Sequence, residues 1–268
     1  MKMKKIKFLA TFCMVLMVFA CSRSSDDTTD DTPMPVDKSG NLLTTGESAN
    51  DILSNDNFTK LKIEIAHVTG FRPTQEAMNE FVSFLRLHTF KEEIEIVFLE
   101  LPSPEVEDFS IQEIADLELE NRTVFNDGET LGIYIYFADA PSEDDEEDEG
   151  LVTLGAVYRN TSMVIHESTI RRLASLSVQI SNADVETATL NHEFGHLFGL
   201  VNLGTTPINA HEDSESENHC DRPGCLMRAE LQFGGSNKAK VTQLGDTNEL
   251  KSSCSLSFGF SMIFATCV

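Results

Sequence analysis

Two spacings of apolar residues divide the chain. Leu61 to Ala66 alternates apolar and polar side chains, the period of a strand, and Ile94 to Leu99 and Leu131 to Phe137 read as two more. Between them, Pro73 to Leu87 places Ala77, Phe81, Phe84 and Leu85 at helical spacing, with Thr74 positioned as N-cap, and Ile111 to Phe125 is expected to be helical. A β-α-β-α-β order predicts a parallel sheet with right-handed crossovers. The expected fold class is therefore α/β (α+β), a mixed and mostly parallel twisted sheet with backing helices. Further on, Leu151–Ala156 and Thr161–His166 read as a hairpin around Tyr158-Arg159-Asn160. A last helix is expected from Ala183 or Asp184, capped by Ser181 or Asn182, through Val185, Leu190, Phe194 and Leu197 to Leu200.

The N-terminus has a different character. Lys2, Lys4, Lys5 and Lys7 precede an apolar run from Phe8 to Ala20, too short to span a bilayer comfortably. The sequence Val18-Phe19-Ala20-Cys21 resembles a bacterial lipobox. Residues 1–20 are expected to be a lipoprotein signal peptide, with Cys21 the lipidated N-terminus. Residues 21–56, rich in Ser, Asp, Thr and Pro, read as a flexible acidic linker, and 57–268 as one folded domain. Removing the four signal lysines takes the formal charge from −24 to −24 − 4 = −28. Such a chain is repelled by nucleic acid, so none is expected as a partner, and acyl chains rather than surface charge would hold it to a membrane. Its expected place is exported and membrane-anchored, in the cell envelope or at the surface. The acidic run Glu143–Glu149 reads as a solvated loop, since no ligand spacing orders it.

The chemistry is concentrated in His192-Glu193-Phe-Gly-His196, with Gly199 three residues later. Histidines four apart stand one turn apart on one helix face, where both can reach one ion. Glu193 is placed to act on a water rather than on the metal. The motif HExxHxxG resembles the metzincin type of zinc metalloprotease. That resemblance implies a metzincin-like domain with one catalytic Zn²⁺, a third ligand six residues beyond His196, and a Met-turn beneath the metal. The position six residues on is Asn202, whose neutral amide is a poor zinc ligand. Downstream, His219-Cys220-Asp-Arg-Pro-Gly-Cys225-Leu-Met227 is similar to archaemetzincins, in which the third histidine directly precedes a cysteine and four further residues lead to Cys-x-Met. This implies His219 as third ligand and Met227 as the Met-turn residue. His211, in His211-Glu-Asp213, is the alternative ligand, with Asp213 and Asn202 behind it. The strong part of the resemblance covers residues 190–227, and within the zinc proteases the chain resembles archaemetzincin-like, membrane-anchored bacterial lipoproteins in particular.

Four cysteines remain in the folded part: Cys220, Cys225, Cys254 and Cys267. Export favours disulfides, and sequence proximity favours Cys220–Cys225 with Cys254–Cys267. A second zinc site of four thiolates is the competing arrangement. His67, His88 and His166 read as structural or surface histidines. The functional expectation is a zinc-dependent endopeptidase acting on protein or peptide, with Glu193 as general base. A zinc-containing surface lipoprotein that binds peptide or glycan is the alternative, and a zinc hydrolase of another substrate a third. In many zinc proteases an edge strand before the zinc helix pairs with the substrate, and the hairpin 151–166 holds the candidates here.

Overall fold

A computed structural model describes residues 37–146 and 151–229, together with the backbone of 254–259 and 262–267. The signal peptide, Cys21 and residues 22–36 of the expected linker lie outside the described residues. At the centre is a mostly parallel five-stranded sheet in the order β2-β1-β3-β5-β4. Its strands are β1 (Lys60–Val68), β2 (Glu93–Leu101), β3 (Thr130–Phe137), β4 (Gly155–Arg159) and β5 (Ser162–Ile165). The pairs β1/β2, β1/β3 and β3/β5 are parallel, and β4 alone runs antiparallel, against β5.

Helices cover both faces, which is why the central strands are apolar almost throughout. On one face Ile63, Ile65, Ile133, Ile135 and Phe137 pack with Phe81 and Leu85 of α2 (Gln75–His88) and Phe194 and Leu197 of α5 (Asn182–Leu197). On the other, Ala66, Tyr134, Tyr136 and Val164 meet Ile114 of α3 (Ile111–Asn121). Thr74 caps α2 as expected, its Oγ1 accepting from Ala77 N at 3.2 Å. Helix α4 (Glu167–Ser175) precedes α5.

Several boundaries move. Helix α3 stops at Asn121, short of Phe125, because Arg122 turns extended. Its guanidinium is drawn under the sheet by Glu118 Oε1 (2.6 Å), Val124 O (2.7 Å) and Gly132 O (2.9 Å). The hairpin is present, but its first strand begins at Gly155 rather than Leu151 and carries Tyr158 and Arg159 within it, so the turn falls at Asn160-Thr161.

The larger correction concerns the expected linker. From Asp37 onward the chain folds against the sheet: Ile52 and Leu53 of α1 (Ala49–Leu53) are buried in the main core. Buried Asn41 Nδ2 donates to Asn126 Oδ1 (2.8 Å), Gly132 O (3.0 Å) and Thr161 Oγ1 (3.1 Å). Lys91 Nζ donates to the main-chain carbonyls of Asp51 (2.6 Å), Ser54 (2.5 Å) and Phe58. Part of the polar composition of 37–56, Asn41 and Ser48 above all, is thus spent on specific buried hydrogen bonds. The acidic loop is described as far as Glu146, where Asp145 Oδ1 accepts from Thr153 N at 2.7 Å and leads the chain into β4. Strands β6 (Cys254–Gly259) and β7 (Met262–Cys267) form an antiparallel pair. No helix among the described residues is long and apolar enough to cross a membrane.

Candidate metal centre

Helix α5 is started by a capping box: Ser181 Oγ accepts from Asp184 N (3.2 Å) and Asp184 Oδ2 accepts from Ser181 N (2.8 Å). Val185, Leu190 and Phe194 bind it to the sheet, which leaves His192, Glu193 and His196 on another side of a helix that is buried nearly all round. It ends at Leu197 rather than Leu200. Gly199 adopts φ 73°, and a Cβ there would stand 2.9 Å from Ala49 Cβ and 3.0 Å from Thr205 N. Only glycine meets both demands without strain. Val201 and Asn202 follow with positive φ, and Asn202 turns aside, its Nδ2 donating to Glu212 Oε2 at 2.5 Å.

The third histidine arrives on a short looped-back segment. Glu212 and Cys220 form an isolated antiparallel bridge, with Asp213 N bonded to His219 O and Asp221 N to His211 O, each at 2.8 Å. The two candidate histidines thus sit on opposite arms of one loop. His219 faces His192 and His196, with ring centroids 5.3 and 4.9 Å away, while His192 and His196 are 5.0 Å apart. One ligand nitrogen from each lies within 4.8 Å of the other two. His211 is buried elsewhere and directs its ring at Cys220. Neither it nor Asp213 joins the cluster, and Asn202, held by Glu212, points elsewhere.

The donor set suits a divalent metal. His192 Nδ1 is held by Leu226 O (2.8 Å) and His219 Nδ1 by Glu217 O (2.9 Å), which leaves Nε2 of each for an ion. Burial pushes His196 down to about 2 and His192 down to about 4, with the neighbouring rings adding to the effect, so both imidazoles stay neutral and ready to coordinate. Burial raises Glu193 to about 8. Glu193 lies between α5 and β4: a Cβ on Gly155 would come within 2.8 Å of Glu193 Cγ. β4 is the sheet's edge on this side.

Met227, fully buried, underlies the helix, where a Cβ on Gly195 would stand 2.3 Å from its Sδ. The expected Cys220–Cys225 disulfide is instead a pair of buried thiols. The hydrogen bond from Cys225 to Cys220 lowers Cys220 to about 6 and raises Cys225, while Arg222 N (3.4 Å) and His211 also bond the Cys220 sulfur. Cys254 and Cys267 stand opposite one another in the β6/β7 register, and their side chains lie outside the described residues. His67 and His166 are buried with Nδ1 on the carbonyls of Val68 (3.2 Å) and Ala140 (3.0 Å), and the His88 ring lies tilted against Phe84, centroids 4.7 Å apart.

Sequence reasoning missed two neighbours of Glu193: Gly155 and Thr189, whose methyl stands 3.0 Å from a Cβ placed on Gly155. A glycine inside an otherwise apolar strand was the available signal.

No protein-family model matches the chain, and no curated protein matches it. Among solved structures it is similar to archaemetzincin from Methanopyrus kandleri, at 16% identity and a TM-score of 0.41, over 63% of this chain and 81% of that one. It is also similar to metalloproteinase-II from Bacteroides fragilis, at 13% identity and a TM-score of 0.37, over 72% of this chain and 52% of that one.

Proposed function

We propose that this chain is a zinc-dependent endopeptidase of the metzincin type. The observation that carries the reading is the convergence of three histidines, from α5 and from a loop more than twenty residues further on, beside a buried glutamate on the same helix. Three imidazoles, with no fourth ligand beside them among the described residues, are the donor set of a catalytic rather than a structural zinc site. When bound, the metal would supply Lewis acidity toward a carbonyl and a water of lowered pKa. His192, His196 and His219 would hold it, with Leu226 O and Glu217 O fixing two of the rings. Glu193 would take a proton from the attacking water and return it to the leaving amine. An extended peptide would lie along the open edge of β4, next to Glu193, with main-chain pairing giving affinity.

The reading includes export and lipid attachment at Cys21, which rest on the sequence of residues 1–21; the mass of the mature N-terminal peptide tests them. The peptidase itself is tested by Glu193→Gln in the full chain. Wild type should hold about one zinc per chain and cleave casein in a chelator-sensitive manner. The variant should keep its zinc and lose about 100- to 10,000-fold in kcat. Equal cleavage by both refutes the assignment. Zinc uptake with no cleavage by wild type favours the alternative of a zinc-containing surface lipoprotein that binds peptide or glycan.

A further inference from the structure

We infer that Gly155 is a positioning residue for Glu193: its missing side chain lets the main chain of the edge strand form one wall of the slot that holds the carboxylate. The inference rests on the peptidase reading and adds a determinant to it. A Cβ built at residue 155 would lie 2.8 Å from Glu193 Cγ, 3.0 Å from Thr189 Cγ2 and 3.0 Å from Val164 O. Distances below 3.0 Å between such atoms force something to move. The φ of Gly155 is not in the left-handed region, and the residue opens β4, paired with Ile165 of the antiparallel neighbour β5. Backbone conformation therefore does not call for glycine here. Proximity does, since an added carbon would meet two side chains of α5 and a carbonyl of β5 at once.

The consequence follows from where the contact lies. Glu193 has the β4 main chain on one side and Thr189, one helical turn back on α5, beside it. Its side chain is thereby confined before any substrate arrives. β4 is also an edge strand of the sheet among the described residues, and an extended peptide would add to it. The strand that would set the register of the peptide and the group that would act on its bond are thus in van der Waals contact at residue 155. Any side chain at that position must shift β4 away from α5 or turn Glu193 out of its slot. A displacement of about 1 Å at a reacting group can cost about 100-fold in rate.

The test is Gly155→Ala in the full chain, measured beside Ala156→Ser, which alters the neighbouring residue on the opposite face of β4. Gly155→Ala should lower kcat about 100-fold with KM changed less than about 3-fold, with zinc content and melting temperature near wild type. Ala156→Ser should stay within about 3-fold of wild type. Should Gly155→Ala fail to fold, Gly155→Ala/Thr189→Ala gives the new methyl the space of the threonine side chain while leaving it against Glu193. This double variant should fold, bind zinc and remain about 100-fold slow. The inference alone is overturned if an active wild type is matched within about 3-fold by either Gly155 variant, or if the lost rate follows lost zinc or lost stability. A wild type that binds zinc and cleaves nothing overturns the peptidase reading and this inference with it.

Discussion

Replacing Glu167 with glutamine should remove a block of pH-dependent stability. Glu167 opens α4 and is fully buried; its Oε1 accepts from Arg171 Nε at 2.5 Å. Its other oxygen and Glu186 Oε1 are both buried, and the two acids are coupled by a hydrogen bond. Glu186 Oε2 meanwhile accepts from Thr74 N (2.8 Å) and Thr74 Oγ1 (2.5 Å). Burial and then the Glu186 charge raise Glu167 to about 8, against an ordinary value of 4.5, even with Arg171 opposing the shift. Glu167 therefore keeps its proton and gives it to Glu186. An acid with a raised folded-state pKa contributes stability that is whole below 4.5 and is lost as pH climbs to 8. A difference of 8 − 4.5 = 3.5 pH units, at about 1.4 kcal/mol each, gives a ceiling of about 5 kcal/mol. The assay is urea unfolding of zinc-loaded wild type and Glu167→Gln at several pH values from about 5 to about 8. Glutamine still donates to Glu186 but cannot ionise. Wild type should therefore lose stability relative to the variant by up to about 1.4 kcal/mol per pH unit. A difference that stays level within about 1 kcal/mol, or one that favours wild type as pH rises, refutes the shared proton.

Two further outcomes follow from the metal centre. His219→Ala should weaken zinc binding by more than about 100-fold, since losing even an outer partner of a ligand costs about 10- to 100-fold, whereas His211→Ala should leave stoichiometry near one. Equilibrium dialysis with zinc distinguishes them, and the reverse ranking would exchange the two roles. Gly195→Ala should drive its new methyl into Met227, whose Sδ lies 2.3 Å from where that carbon must sit, at a packing cost of about 1–3 kcal/mol against about 1 kcal/mol of helix gain. A net loss on thermal unfolding, relieved by Met227→Ala in the same chain, is expected; a gain of the full helix increment contradicts the contact.

The strands and helices that position the site were legible because both faces of the sheet are covered: the runs at Ile63, Ile133 and Ile135 can only be interior. His192, Glu193 and His196 were legible because helical spacing dictates their common face. The third histidine was open between two candidates, since a loop with 17 extra residues relative to the metzincin spacing has no period to read (219 − 202 = 17). What separates His219 from His211 is a pair of backbone hydrogen bonds, from Asp213 N to His219 O and from Asp221 N to His211 O, which turn the two rings apart. The fold's beginning was misplaced for a related reason. Residues 37–56 look like solvent-loving chain because their burial runs through Asn41, Ser48 and main-chain carbonyls, and a buried amide set among three acceptors has the same letter as one in a disordered tail. The end of α3 was set by Arg122 reaching a tertiary partner, which local propensity does not register.

The ammonium of Lys91 bears on how shortened versions of this protein behave. All three of its acceptors precede β1, and two of them, the carbonyls of Asp51 and Ser54, lie ahead of residue 57. A recombinant fragment cut at residue 57 strips those two away and leaves the buried Lys91 ammonium with the carbonyl of Phe58 alone of the three, while also emptying the space that Ile52 and Leu53 fill. Expression boundaries are best drawn upstream of Asp37, and a proteolytic nick within 42–56 would be felt through the whole sheet rather than trimmed off harmlessly.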